Sequence, residues 1–252
     1  MTATDHAPVE CGARGEFALL TLRRPQVLNA IDVALRDALL AAWHAAERED
    51  RRGIILTGAG RAFCAGTDLK NPPPDIDAHI DVIHRLLLAM RRSSLVSVAA
   101  LNGLALGGGL ELALACTFRV AAPDATFGLP EIRLGVMPCY GATQLLPRLI
   151  GEGRALDLML SGRSIDAATA LSWGLIDKIA DDPVAAAAVW AEARTGRAPV
   201  AEQAIRRAVD HAFSGLPEAL REEQRLAREV RHHPATRSAL ASFRDRRRDG
   251  AG

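Results

Sequence analysis

The sequence is poor in aromatic side chains, with one tyrosine, three tryptophans and six phenylalanines in 252 residues. A core built from it rests on aliphatic and small residues, and its abundant alanine suits closely packed helices. It also lacks any surplus of charge. Lys and Arg number 31 against 30 Asp and Glu, a formal net charge of +1, so no global field steers it toward nucleic acid or a membrane surface. The four cysteines, Cys11, Cys64, Cys116 and Cys139, include no C-x-x-C pair. The opening MTATDHAPVE carries acidic residues and no apolar core, unlike a secretory leader. Together these point to reduced thiols in a cytoplasmic protein.

Several signatures of chemistry are missing as well. TGAG at 57–60 begins like a dinucleotide fingerprint, but Phe63 stands where the third glycine belongs. There is no G-x-x-x-x-G-K-[ST] phosphate loop and no G-x-S-x-G nucleophile elbow. Seven histidines are scattered with no H-E-x-x-H, and the His232–His233 pair falls in a charged helical stretch, so no metal site is expected.

What is present alternates between strand and helix. EFALLTL at 16–22, GIILTG at 53–58 and LVSVAAL at 95–101 read as buried strands, with FRVAA and ATFGLP as shorter ones. DVALRDALLAAWHAAERE at 32–49 has helical apolar spacing with Asp32 at the cap, and a second helix is expected from about Ile76 to Arg91. NGLALGGG reads as a loop opening the next helix. From Ala142 onward helices are expected at 142–150, 153–160, 166–173, 183–194, 199–213, 217–231 and 235–248, interrupted by a strand in LIDKIA at 175–180. The order implies an α/β layer architecture followed by a helical, charged tail.

One residue breaks the pattern. From Ser93 to Phe118 the only charged side chain is Glu111, inside LALGGGLELALAC. The glycines and this carboxylate argue against a membrane span. Glycine at a helix start leaves backbone N–H groups without intrahelical partners and open to close approach by a ligand, as an oxyanion site requires. Glu111, three residues after Gly108, lies on the same helix face, and apolar neighbours should raise its pKa toward the range useful for proton transfer. A structural ion pair is the competing reading. FCAGTDL at 63–69 offers a second small-residue loop after a buried strand. Glu131, in FGLPEIRLGVMP, is a second carboxylate in an apolar, glycine-rich setting, with a salt bridge to Arg133 or Arg148 as its alternative.

Taken together, IILTGAGRAFCAGTDLK, the long run LNGLALGGGLELALACTFRVAAPDATFGLPEIRLGVMP, RRPQVLNAID and ATRSALASFRDRRR resemble the enoyl-CoA hydratase/isomerase, or crotonase, family over nearly the whole chain. The resemblance implies an α/β fold, a crotonase-like spiral of β-β-α turns over 1–195 with a helical trimerisation segment at 196–252. It implies an acyl-CoA substrate, no metal and no cofactor beyond the coenzyme A of the substrate itself. It also implies a homotrimer or a dimer of trimers, with neither nucleic acid nor membrane as partner. By position, the backbone N–H groups of Thr67 and Gly108 would form an oxyanion hole. Ala65, Thr67, Asp68, Leu69, Lys70 and Gly108 would line the substrate site, and Glu111 and Glu131 would be the two catalytic glutamates. Hydration of an enoyl-CoA is the reaction implied first, with double-bond isomerisation, hydrolysis or lysis of another acyl-CoA, or non-catalytic binding as alternatives. The run PCYGATQ departs from a PGAGGTQ-like pattern. Tyr140, the only tyrosine, would either pack between subunits or enter the acyl pocket, and Cys139 is read as packing.

Overall fold

The structure, a computed structural model, describes residues 7–210 together with Pro234 and Ser238. The chain divides into two units, Met1–Ala193 and Arg194–Gly252.

The first unit opens with an antiparallel hairpin of β1 (Val9–Arg14) and β2 (Phe17–Leu22), then α1 (Val33–Arg48). Three windings follow. Each lays down a longer strand, then a short strand, before the chain turns into 3-10 or α-helix. They are β3 (Gly53–Gly58), β4 (Ala62–Cys64) and α2 (Ile76–Arg92); β5 (Val96–Leu101), β6 (Leu104–Leu106) and α3 (Gly108–Ala115); and β7 (Phe118–Ala121) with β8 (Thr126–Gly128) and a 3-10 turn at Pro130–Leu134. The unit closes with α4 (Ala142–Ile150), α5 (Glu152–Ser161), β9 (Ser164–Asp166), α6 (Ala167–Trp173), β10 (Lys178–Ile179) and α7 (Pro183–Glu192). In the second unit the described helix is α8 (Pro199–Asp210).

The long strands form a six-stranded sheet in the order β1-β2-β3-β5-β7-β10, and the short ones a four-stranded sheet, β4-β6-β8-β9. This is the spiral of β-β-α turns that the resemblance implies. Pairing from β2 through β7 is parallel, and β3 and β5 are buried along their whole length. Strands covered on both faces carry continuous apolar runs rather than alternation, which is why GIILTG and VSVAAL were legible. The larger core packs Trp43, Phe63, Phe127 and Tyr140 among aliphatic residues; a smaller one sets Ala187 and Ala191 of α7 against Ile55, Val98 and Val120. Four helices begin at aspartates whose carboxylates accept the N–H three residues on: Asp32, Asp75, Asp166 and Asp182.

The strand expectations need correction in places. NGLALGGG contains β6, and LIDKIA is paired only at Lys178–Ile179. Strands β1, β4 and β9 were not anticipated. The last part of the helix expected at 199–213, those at 217–231 and 235–248, the His232–His233 pair and the ATRSALASFRDRRR match lie outside the described residues, apart from Pro234 and Ser238. No helix among the described residues is long and apolar enough to cross a membrane.

Candidate active site

The short sheet sets the site. Strands β4 and β6 pair in parallel, so the loops leaving them emerge side by side. After β6 the chain reverses at Gly107, whose φ of 51° is open to glycine, and enters α3 at Gly108. As the first helical residue, Gly108 has an N–H with no intrahelical acceptor. After β4, Ile31 clasps the loop on both sides of Thr67. The Ile31 N–H donates to the Gly66 carbonyl at 2.7 Å, and the Asp68 N–H donates to the Ile31 carbonyl at 2.9 Å. In a parallel bridge the intervening residue directs its own N–H to the opposite side, and the Thr67 N–H donates to no backbone carbonyl among the described residues. A Cβ on Gly66 would lie 2.9 Å from the Leu106 carbonyl oxygen and 3.2 Å from the Gly108 nitrogen, so the two loops touch backbone to backbone.

Glu111 sits in the first turn of α3 and is 1% exposed. Its Oε1 accepts the Tyr140 N–H at 2.9 Å and the Ala142 N–H at 2.8 Å. Burial pushes its pKa up to about 7; the Ala142 amide opposes the rise, the Glu131 charge adds to it and the Tyr140 amide opposes it. The structural ion pair considered for Glu111 is not what holds it; backbone amides do. Glu131 lies on the 3-10 turn Pro130–Leu134. Its Oε1 comes within 2.9 Å of where a Cβ of Gly107 would stand, and its Oε2 is buried without a hydrogen-bond partner. Burial raises this carboxyl as well. A buried unpartnered carboxylate oxygen is costly in a purely structural role, and such atoms gather where a ligand completes the pairing.

Both glutamates line one cavity of about 730 Å³, together with Ala65, Gly66, Thr67, Gly107 and Gly108. The rest of its wall is largely apolar, with Leu69, Ile76, Ile80, Leu134, Val136 and Met137. Of the residues expected around the substrate, Ala65, Thr67, Leu69 and Gly108 line this cavity, whereas Asp68 and Lys70 do not. Asp68 is 3% exposed and turned inward. Its Oδ2 pairs with Arg24 Nη2 at 3.0 Å, and its Oδ1 accepts the N–H groups of Lys70 and Asn71 at 3.1 Å each. Arg24 also reaches Asp32 at 3.0 Å and the Ala30 carbonyl, fastening the loop to the start of α1. The sequence reading overlooked this role of Arg24 within RRPQVLNAID.

Tyr140 is inside. It is 2% exposed, lines the cavity, and its hydroxyl lies 2.8 Å from Thr67 Oγ1. Beside it His79 is buried, with its ring centroid 5.9 Å away. Arg36 Nη1 lies 3.0 Å from His79 Nδ1, and since guanidinium only donates, Nδ1 is the acceptor. Cys139 lies at the exposed side of the cavity. Burial, then the charges of Glu111 and Glu131, push its thiol up to about 11, so it is a thiol rather than a thiolate. Nothing in the sequence marked His79, one of two histidines on the amphipathic helix α2.

A model of the family described as enoyl-CoA hydratase/isomerase matches residues 13–250. A probable enoyl-CoA hydratase of Rhizobium meliloti is 35% identical over 239 residues, spanning 91% of this chain and 92% of that protein. An (E)-benzylidenesuccinyl-CoA hydratase of Thauera aromatica is 35% identical over 209 residues, 80% of this chain and 81% of that protein. The crystal structure of an enoyl-CoA hydratase from Bacillus anthracis superposes with a TM-score of 0.86 at 33% identity, covering 95% of this chain and 96% of that one.

Proposed function

We propose that this chain, which belongs to the enoyl-CoA hydratase/isomerase family, is an enzyme that adds water across the 2,3 double bond of an enoyl-CoA to give a 3-hydroxyacyl-CoA. The observation that carries this reading is the pair of glutamates, both raised in pKa, on one cavity beside the Thr67 and Gly108 loops. Hydration puts the water oxygen on C3 and a proton on C2, passing through a thioester enolate. Negative charge grows on the carbonyl oxygen, where the N–H groups of Thr67 and Gly108 would stabilise it; one such donor is worth about 10²–10³ in rate. One carboxylate must take a proton from water and another must deliver one to C2. We assign Glu111 to water. Its Oε1 is already held by two amides, which fixes the carboxylate in place. Glu131 is assigned to C2. Each turnover then moves one proton onto Glu111 and one off Glu131, and exchange with solvent resets the pair.

The cavity wall also bears on the acyl group. Among the described residues its lining has two carboxylates, no lysine, arginine or histidine, and many aliphatic side chains. An acyl chain carrying its own carboxylate would enter without a counter-charge, so the preferred substrate is an uncharged, apolar enoyl thioester. Assembly as a homotrimer or a dimer of trimers and the cytoplasmic setting belong to the same proposal; light scattering of the full chain reads the first.

The test is loss of conjugated enoyl-thioester absorbance with crotonyl-CoA. Rapid loss is expected for the wild type and a fall of at least ~10²-fold for Glu111→Gln and for Glu131→Gln. Isomerisation can proceed with a single carboxylate moving the proton, so near-full activity in either variant would sink the two-carboxylate hydration mechanism.

A further inference from the structure

Tyr140 touches three parts of the site through three different groups. Its backbone N–H donates to Glu111 Oε1 at 2.9 Å. Its ring lies against Gly108 so closely that a Cβ there would be 2.7 Å from both Cδ2 and Cε2. Its hydroxyl meets Thr67 Oγ1 at 2.8 Å. His79, itself anchored by Arg36, also neighbours the ring, with centroids 5.9 Å apart, so the ring has little freedom to swing. Only glycine at 108 leaves space for an aromatic at 140.

The consequence concerns the Thr67 N–H. Its loop is pinned through the backbone by the two Ile31 bonds, and through the Thr67 side chain by the Tyr140 hydroxyl. We propose that Tyr140 is both a positioning and a specificity-determining residue: its hydroxyl holds the Thr67 loop, and its ring sets the width of the cavity beside Gly108. The inference rests on the hydratase reading, with Thr67 and Gly108 as the oxyanion donors. Hydrogen bonds weaken steeply as their angle departs from linear, so a loop free to tilt stabilises the enolate less than one held through both backbone and side chain. On the hydratase reading the acyl carbon next to the thioester lies beside Gly108, so a ring packed there is expected to disfavour a branch on that carbon more than an unbranched chain. Burial pushes the Tyr140 hydroxyl up to about 12, so it stays a neutral partner for Thr67 throughout the working pH range.

The experiment uses Tyr140→Phe, Thr67→Ala, the double variant and Tyr140→Ala in the full chain, with melting temperatures to check folding. Two readouts are needed. One is turnover of crotonyl-CoA and of 2-methylcrotonyl-CoA. The other is the near-ultraviolet absorbance of bound acetoacetyl-CoA, whose enolate requires the oxyanion donors but no hydration. Tyr140→Phe and Thr67→Ala are each expected to lower kcat about tenfold with little change in KM, and the double variant to be no worse than either, as for two halves of one contact. The enolate absorbance should fall in parallel. Tyr140→Ala should shift the kcat/KM ratio toward 2-methylcrotonyl-CoA by about tenfold or more, the scale of one methyl group in a pocket. Unchanged kcat and enolate signal in Tyr140→Phe, losses that simply multiply, or an unmoved substrate ratio in Tyr140→Ala would overturn the inference. If the wild type leaves crotonyl-CoA untouched, the hydratase reading fails by itself. The enolate signal then decides on Tyr140: its loss in Tyr140→Phe supports the positioning role, and its persistence or its absence from the wild type refutes it.

Discussion

Glu111 carries a stability cost that follows from its setting. Its pKa rises from an ordinary 4.5 to about 7, chiefly because burial disfavours the charged form. The unfolded chain therefore releases this proton at lower pH than the folded one. The folded state's advantage is complete below about 4.5 and is lost as pH climbs through about 7, a change of about 3 kcal/mol. Glu111→Gln cannot ionise. Its melting temperature should gain on the wild type as pH rises from about 4.5 to about 8 and stay level beyond that; a gap independent of pH would mean the carboxyl is not desolvated as the structure has it. This residue was legible in the sequence because a lone carboxylate in an apolar run must be either paired or used. Glu131 was legible for the same reason, its apolar, glycine-rich surroundings. The direction of Tyr140 was not, because it depends on contact with Gly108, a residue 32 positions earlier in the chain. Asp68 reads from the sequence as a ligand contact; its pairing with Arg24, 44 positions earlier in the chain, shows only in the structure.

At the level of elements, the placement of α3 against β4 decides whether two loops can share one site. A Cβ on Gly109 would drive into the Cys64 carbonyl, which is backbone and cannot swing aside. Gly109→Ala should cost about 1–3 kcal/mol by overpacking and, by lifting the start of α3 from the Thr67 loop, should lower crotonyl-CoA turnover as well. Gly153→Ala is the control. Gly153 lies in α5, and a Cβ there meets nothing within 4 Å, so its melting temperature should hold or rise slightly. Equal behaviour of the two variants would contradict the packing. The helices were readable because apolar spacing and an aspartate at the cap act locally, as at Asp32 and Asp75. The short sheet was not. Strands of three residues such as β4, β6 and β9 are too brief to show alternation, and their existence depends on pairing with one another across the chain. β1 escaped notice because five of its six residues are exposed, leaving no apolar run to read.

On the scale of the whole molecule, the four thiols report on burial and on the cavity together. All are free; Cys64 and Cys116 are buried, while Cys11 and Cys139 are exposed. Burial pushes the two interior thiols up to about 12 each, which removes the thiolate that alkylation requires. Labelling of the native chain should therefore reach Cys11 and Cys139 and spare Cys64 and Cys116 until denaturant is added. The two exposed thiols differ in one respect. Cys139 lines the cavity with Glu111 and Glu131, and its pKa of about 11 makes it slow, whereas Cys11 lies on strand β1 and is not among the residues that line the cavity. Saturating acyl-CoA should protect Cys139 and leave Cys11 labelling unchanged, read site by site from the masses of proteolytic peptides. Protection of Cys139 alone would place the ligand in the cavity that the two glutamates share. If Cys139 labels at the same rate with and without ligand, the acyl chain is seated elsewhere, and the proton transfers assigned to Glu111 and Glu131 lose their substrate.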